Sequence, residues 1–321
     1  MTSTILTRRR LMAAGLALPG IAHAQATRPI TLVHGFGSGG TTDAVARLMA
    51  EKLGPKLGRS MIVDARPGAG GTIAAGQVSR AAPDGATLLF LTGAHPISPA
   101  MFRNLPYDTL AGFTYVGLIA EYPFVLATSA EHPVRDLPGL VARAKQSAEP
   151  MTYSTSGVGT TNHLAMELFA SRTGISLSHV PYRSSAQGAL DVVARRIDFS
   201  IEGPVNVAGR LQDGSMRGLG VTSATRFFLT PEVPTFAEGG VPGYDVTTWS
   251  GIAGPAGMPP EMVALLNAAM AEVLADPEVV QKIRQQGSTI ATSTPEAFRS
   301  RIATEVSRWT EVVRVANIER I

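Results

Sequence analysis

The chain has 321 residues, 45% of them apolar and 17% charged, and no cysteine. That length suits about two domains with cores large enough to need no staples, and the absence of cysteine excludes disulfide frameworks, thiol nucleophiles, Cys-ligated zinc and iron–sulfur clusters. The net charge of +3 resides in residues 1–24, which carry Arg8, Arg9 and Arg10 and no acid; the remaining 25 basic and 25 acidic residues balance, leaving no footprint for nucleic acid or for an anionic membrane surface.

Residues 1–24 read as an address. The arginines precede a modest apolar stretch, Leu11 to Ile21, and Ala22-His23-Ala24 has the A-x-A pattern of a signal-peptidase site. Cleavage is expected after Ala24, giving an exported, periplasmic chain. The twin arginine, with Leu11 and Met12 behind it and Gly15, Pro19 and Gly20 in a weakly apolar stretch, resembles a Tat signal. A Sec signal with an extra arginine is the alternative. No later window of 18 apolar residues offers a membrane span.

From there strand-like and helix-period runs alternate. Residues 30–34 (ITLVH) predict a strand, 41–53 a helix with Val45, Leu48, Met49 and Leu53 on one face, 61–65 a strand, 71–81 a helix and 87–92 a fully buried strand. This β-α-β-α-β order predicts a mostly parallel sheet covered on both faces. The pattern restarts with strands at 114–120 and 124–129, a helix at 137–146, a strand at 151–155 and a helix at 162–174 that stops on Gly174. A strand at 177–182, a helix at about 186–195, and strands at 197–201 and 217–223 follow. The Pro- and Gly-rich stretch 231–246 reads as a connection. Two amphipathic helices, about 260–275 and 295–316, close the chain behind Pro259-Pro260 and Thr294-Pro295.

An internal echo stands out. GGTTDAVARLMA (39–50) resembles VGTTNHLAMELFA (158–170) at an offset of 119 residues. Each places a small-residue loop and Thr-Thr-Asp or Thr-Thr-Asn ahead of an amphipathic helix, so two lobes would present helix N-termini built alike; chance similarity of two βα turns is the bland alternative.

Three chemistries compete for the loop His34 to Gly40. Gly35, Gly37 and Gly40 satisfy G-x-G-x-x-G between a strand and a helix, with Asp64 ending the next strand, as in a dinucleotide-binding unit. Asp43 in the first helical turn would repel a pyrophosphate, and no hydride-transfer constellation follows. The segment LVHGFGSGG also looks like the oxyanion loop of an α/β-hydrolase, yet no G-x-S-x-G elbow exists. The third reading is a cradle for a small anion: glycines let backbone approach the ligand, and the orphan amides of the helix N-terminus receive a carboxylate without Lys or Arg. Thr41 and Thr42 can donate as well, and Asp43 can cap the helix or take a ligand ammonium or hydroxyl. Residues 154–161 (STSGVGTT) offer the same chemistry in the second half, and Arg66 to Gly71 opens a third helix beside the first loop. The scattered histidines show no metal-binding spacing; His163, at the start of a helix, is the one placed to face a cleft. Glu202 ends a strand, where open α/β sheets bind ligands. Trp249 reads as core rather than as a stacking platform. No metal and no cofactor is expected.

With these motifs in their order, the sequence resembles the periplasmic substrate-binding receptors of tripartite tricarboxylate transporters, the Bug or TctC-like proteins. The similarity rests on F-x-x-GG-x-TD (Phe36 to Asp43), ARPGAGG (65–71), AAPDGATLLF (81–90), LPYD (105–108), the run from Tyr153 to His163, HVPYR (179–183), VPTFAEGGVPGY (233–244) and WSGIAGPAGMP (249–259). It implies a two-lobed α/β fold of the Venus-flytrap kind (type II-like) with two crossing strands and a cleft between the lobes. Lobe 1 would hold 25–121 and 252–321, lobe 2 would hold 122–251, and closure would pivot near 120–124 and 246–252. It implies binding rather than catalysis: a monomer captures a small carboxylate and delivers it to a membrane permease. Carried over, Ser38, Gly39, Gly40, Thr41, Thr42 and Asp43 of one lobe and Ser156, Gly157, Thr160 and Thr161 of the other hold the carboxylate. The first loop departs from the family in having Gly35, Gly37 and Ser38 where prolines are usual and His34 where an apolar residue is usual, and Ser184 stands where Gly is common. An exported oxidoreductase and a non-transport sensor are the rival classes.

Overall fold

The computed structural model describes residues 28–182 and 185–321; the expected signal segment and its cleavage point lie outside them. The first half of the chain gives β1 (Ile30–His34), α1 (Thr41–Lys56), β2 (Met61–Ala65), α2 (Thr72–Val78), β3 (Thr87–Thr92), a short α3 (Ser98–Met101), β4 (Phe113–Pro123), β5 (Val125–Ser129), α4 (Leu137–Gln146) and β6 (Met151–Thr155). There follow α5 (Thr161–Thr173), β7 (Leu177–Pro181), α6 (Ser185–Val193), β8 (Phe199–Glu202), α7 (Pro204–Gln212), β9 (Met216–Val221), β10 (Thr247–Pro255), α8 (Pro260–Ala275), α9 (Pro277–Gln285), β11 (Thr289–Ile290) and α10 (Pro295–Val315). Strands β1, β2, β3 and β6 and helix α4 fall on their predicted residues. The predicted 231–246 connection holds no strand beyond one bridge between Val221 and Thr235.

The strands form two sheets, ordered β11-β4-β10-β3-β1-β2 and β7-β6-β8-β5-β9. The expectation of mostly parallel sheets holds for β2-β1-β3 and β7-β6-β8, while β10 and β11 in the first sheet and β5 and β9 in the second run antiparallel to their neighbours. Alternation along each strand sends side chains to two cores. In the first sheet Leu32, Leu88 and Phe90 pack with Val45, Met49 and Leu53 of α1 and Leu266 and Met270 of α8. On the opposite face Val33, Leu89 and Leu91 pack with α2 and with Phe298 and Ile302 of α10. The second sheet is likewise covered on both faces, by α4 and α5 on one and by α6 and α7 on the other.

The lobes are joined where β4 leaves the first sheet and, after Phe124, continues as β5 in the second. The chain returns through Val246, whose N–H bonds to the Thr222 carbonyl at 2.8 Å, into β10. Glycine is required in β10: a Cβ on Gly251 would lie 2.5 Å from the Phe298 ring and 2.7 Å from the Gly117 carbonyl. A third connection was not foreseen. Helix α10 begins against the first sheet with Phe298 and Ile302, and ends in the core of the second with Trp309 and Val313. Its start is fixed by Thr294, whose hydroxyl accepts the Ala297 N–H at 3.2 Å, with Pro295 in the first turn. The short α3 also packs there through Ala100 and Met101. Residues assigned by sequence to lobe 1 thus contribute to the core of lobe 2. Truncating Trp309, 2% exposed, to alanine is expected to lower stability by about 3–5 kcal/mol, read as a fall in the urea midpoint.

Candidate functional site

A cavity of about 190 Å³ opens between the two sheets. Its walls come from the turn β1–α1, the turn β6–α5, the β3 end (Thr92, Ala94), the crossing strands (Tyr122, Phe124, Thr248) and the β8–α7 junction (Glu202, Gly203, Asn206). Of the residues expected from sequence, Ser38, Gly39, Gly40, Thr41, Thr42, Ser156, Thr160, Thr161 and Glu202 line it; Asp43, Gly157 and His163 do not. Among the described lining residues there is no Lys, Arg or His.

The two turns share a backbone. Gly39 (φ 85°) and Gly159 (φ 74°) are both left-handed. Gly40 (φ −86°, ψ 174°) and Thr160 (φ −85°, ψ 160°) are both extended N-caps, and the helices start at Thr41 and Thr161. The echo therefore runs at an offset of 120, one residue from the letter match: Thr42 corresponds to Asn162, and Asp43 to His163. The orphan amides of both helix starts border the same cavity.

Asp43 stands behind its turn rather than in the cavity. One carboxylate oxygen accepts the His34 Nε2–H at 3.1 Å, while the other accepts the Gly39 N–H at 3.0 Å and the Arg47 Nε–H at 2.9 Å. Burial works against its charge, but Arg47, Gly39 and His34 together hold the carboxyl below its usual range. His34, fully buried, takes the Phe36 N–H on Nδ1 at 3.4 Å. In the other lobe His163 Nδ1 accepts the Gly159 N–H at 3.4 Å, and its ring stacks on His179 at 4.1 Å. His179 Nε2 meets the Thr155 hydroxyl at 2.6 Å, and that hydroxyl accepts the Gly157 N–H at 3.1 Å. Gly157 serves the turn through its carbonyl, which accepts from Thr160 at 2.6 Å.

Several wall residues escaped the sequence reading. Asn162 bonds to the Ile201 carbonyl at 2.9 Å, tying the second turn to β8. Thr161 and Thr248 hydroxyls meet at 3.3 Å between α5 and β10. Burial first, and then the nearby Glu202 carboxylate, raise the Tyr122 phenol to about 12, against a hydrogen bond with Thr42. Tyr122-Pro123-Phe124 sits where two strand runs abut, within the segment expected as a pivot, and Tyr122 and Phe124 also line the cavity. The Thr41 hydroxyl is buried and has no hydrogen-bond partner among the described residues. Asp64, the acid that a dinucleotide site would need, lies outside the cavity and pairs with Arg66 at 2.9 Å. Trp249 is fully buried and donates its indole N–H to Glu305 at 2.8 Å.

Two α/β lobes with a cleft at the ends of their strands define the periplasmic-binding-protein fold. Residues 45–318 match the profile of the tripartite tricarboxylate transporter family receptor, TctC, and the chain belongs to that family. Three solved structures are similar over nearly the whole chain. The periplasmic binding protein BugD superposes with a TM-score of 0.85 at 29% identity, covering 92% of this chain and 99% of its own. Rpa4515 of Rhodopseudomonas palustris, determined with adipate, gives 0.86 at 34% identity over 92% and 99%. MatC (Rpa3494) of the same organism, with bound malate, gives 0.82 at 30% over 89% and 99%. No helix among the described residues is long and apolar enough to cross a membrane.

Burial lowers the pKa of five described histidines from the ordinary 6.5; His34 and His132 are among them, and the shift is large for His95 and His179, to about 4, and for His163, with His179 as a second cause, to about 3. Between pH 6.5 and 4 the unfolded chain binds the protons of these last three and the folded one does not. Stability therefore falls as pH drops through that window, by up to about 1.4 kcal/mol per pH unit for each histidine. Urea unfolding at pH 7, 6 and 5 is expected to show this slope, and His95→Asn to make it shallower.

Proposed function

We propose that this protein is an exported, monomeric receptor that captures a small carboxylate in the cleft and hands it to the membrane subunits of a tripartite tricarboxylate transporter. The carrying observation is that two helix N-termini of the same backbone build border one cavity whose described lining holds no cationic side chain. Ser38, Gly40, Thr41 and Thr42 supply one anion cradle, with the Gly39 amide held back by Asp43, and Ser156, Thr160 and Thr161 supply the other. A hydrogen bond to a charged group contributes roughly 1.5–3 kcal/mol, so three or four such bonds account for micromolar binding, about 8 kcal/mol. Glu202 and Asn206, in the same wall, can accept hydrogen bonds from a ligand hydroxyl or ammonium. The dicarboxylates seen with two relatives, adipate and malate, are the first ligands to try.

The test is a thermal-shift screen of mono-, di- and tricarboxylates, amino acids and aromatic acids. A true ligand at about 100 times its Kd adds about 2.7 kcal/mol; no shift from any carboxylate removes the proposal. Thr41→Val is expected to leave the free protein as stable or more so, since an unpartnered buried hydroxyl is lost, while weakening the ligand by about tenfold or more. Equal affinity in wild type and Thr41→Val takes that hydroxyl out of the site.

A further inference from the structure

In both turns the third helical residue reaches back to the left-handed glycine that precedes the N-cap. Asp43 takes the Gly39 amide hydrogen and His163 takes that of Gly159. In both, the last strand residue also takes an amide hydrogen from two positions on: His34 from Phe36 and Thr155 from Gly157. The two acceptors are then joined to each other, directly as His34–Asp43 in the first turn, and through His179, which bonds Thr155 and stacks on His163, in the second. Neither Asp43 nor His163 lines the cavity, yet residues between each pair of acceptors do: Phe36 to Thr42 in one turn, Ser156, Thr160, Thr161 and Asn162 in the other.

We infer that Asp43 and His163 are the positioning residues of the site, each clasping the loop amide that does not bind ligand so that the neighbouring amides stay turned to the cavity. This rests on the anion-cradle reading. An amide left unclasped would rotate out of register or compete for the ligand, and preorganised donors are what let a carboxylate bind without a cation. Chemistry differs between the two clasps. The first is a carboxylate backed by His34 and Arg47. The second is an imidazole that must keep Nδ1 free of a proton; it stacks on His179 of β7, whose ring also stacks with Tyr153 of β6, and Glu167 lies 3.9 Å from His163 Nε2 on the same helix.

Two variants at one position separate positioning from bulk stability. His163→Phe keeps a ring to stack on His179 and removes the acceptor; His163→Gln keeps an acceptor. In the ligand-free protein, amide exchange followed by NMR is expected to speed up at Gly159 by about tenfold or more in His163→Phe, the loss of one hydrogen bond, to stay unchanged at Gly39, and to be restored in His163→Gln. Asp43→Leu and Asp43→Asn form the matching pair at Gly39. Calorimetry with adipate and with malate should show affinity lost in His163→Phe and largely recovered in His163→Gln. Unchanged exchange at Gly159 in the Phe variant, or Gln no better than Phe, overturns the inference. Should wild type bind neither acid, the carboxylate reading suffers, and the exchange measurement still decides the clasp.

Discussion

Everything about this site follows from aiming two helix N-termini at one small volume. Each carries roughly half a positive charge and several amides with no partner inside the helix. Together they present about one unit of positive potential fixed in the backbone. A lysine or arginine in the same place would need a permanent counter-ion and would be free to swing. Amide dipoles have neither difficulty, provided that the turns are rigid. Much of the surrounding polar network serves that rigidity. Asn162 ties the second turn to β8, Thr160 bonds within its own loop, and the two sheets end their parallel strands at the cleft. The antiparallel strands β5 and β10 bring the crossing segments to the same edge.

Sheet strands were the most legible part of the sequence. β1 and β3 are short apolar runs bounded by turn residues, and their burial on both faces is what such a run requires. Helices led by proline were legible when long, as in α8 and α10, and harder when short. Asp276-Pro277 is an N-cap followed by a first-turn proline, and Asp276 does cap α9 through the Glu278 N–H, but nine residues after a sixteen-residue helix gave no separate period to read. α7 was hidden by Gly209 inside its turns, and the glycines of β10 weakened its strand pattern, so that its start near 246–252 was expected only from the family resemblance.

Within the site, the two cavity-lining turns could be found because small residues before an amphipathic helix have few other uses. The roles of Asp43 and His163 could not. A carboxylate and an imidazole have no letters in common, and the letter match at an offset of 119 pairs Asp43 with Asn162. Only the left-handed glycines, Gly39 and Gly159, fix the true correspondence, and handedness is a property of backbone that a string of letters does not display. The crossing segments near 120–124 and 246–252 were expected, but the place of Tyr122, Phe124 and Thr248 in the cavity wall was not, because residues so distant in sequence meet only in the folded chain.

Helix α10 has a consequence for how the molecule can be watched. The chain has two tryptophans, and both lie along the seam that this helix stitches: Trp249 on β10, its indole held by Glu305 of α10, and Trp309 on α10 itself, sunk into the opposite core. Any rocking of one half against the other must disturb the surroundings of at least one indole. The protein carries its own optical gauge of lobe motion, and ultraviolet emission can follow it with no label attached.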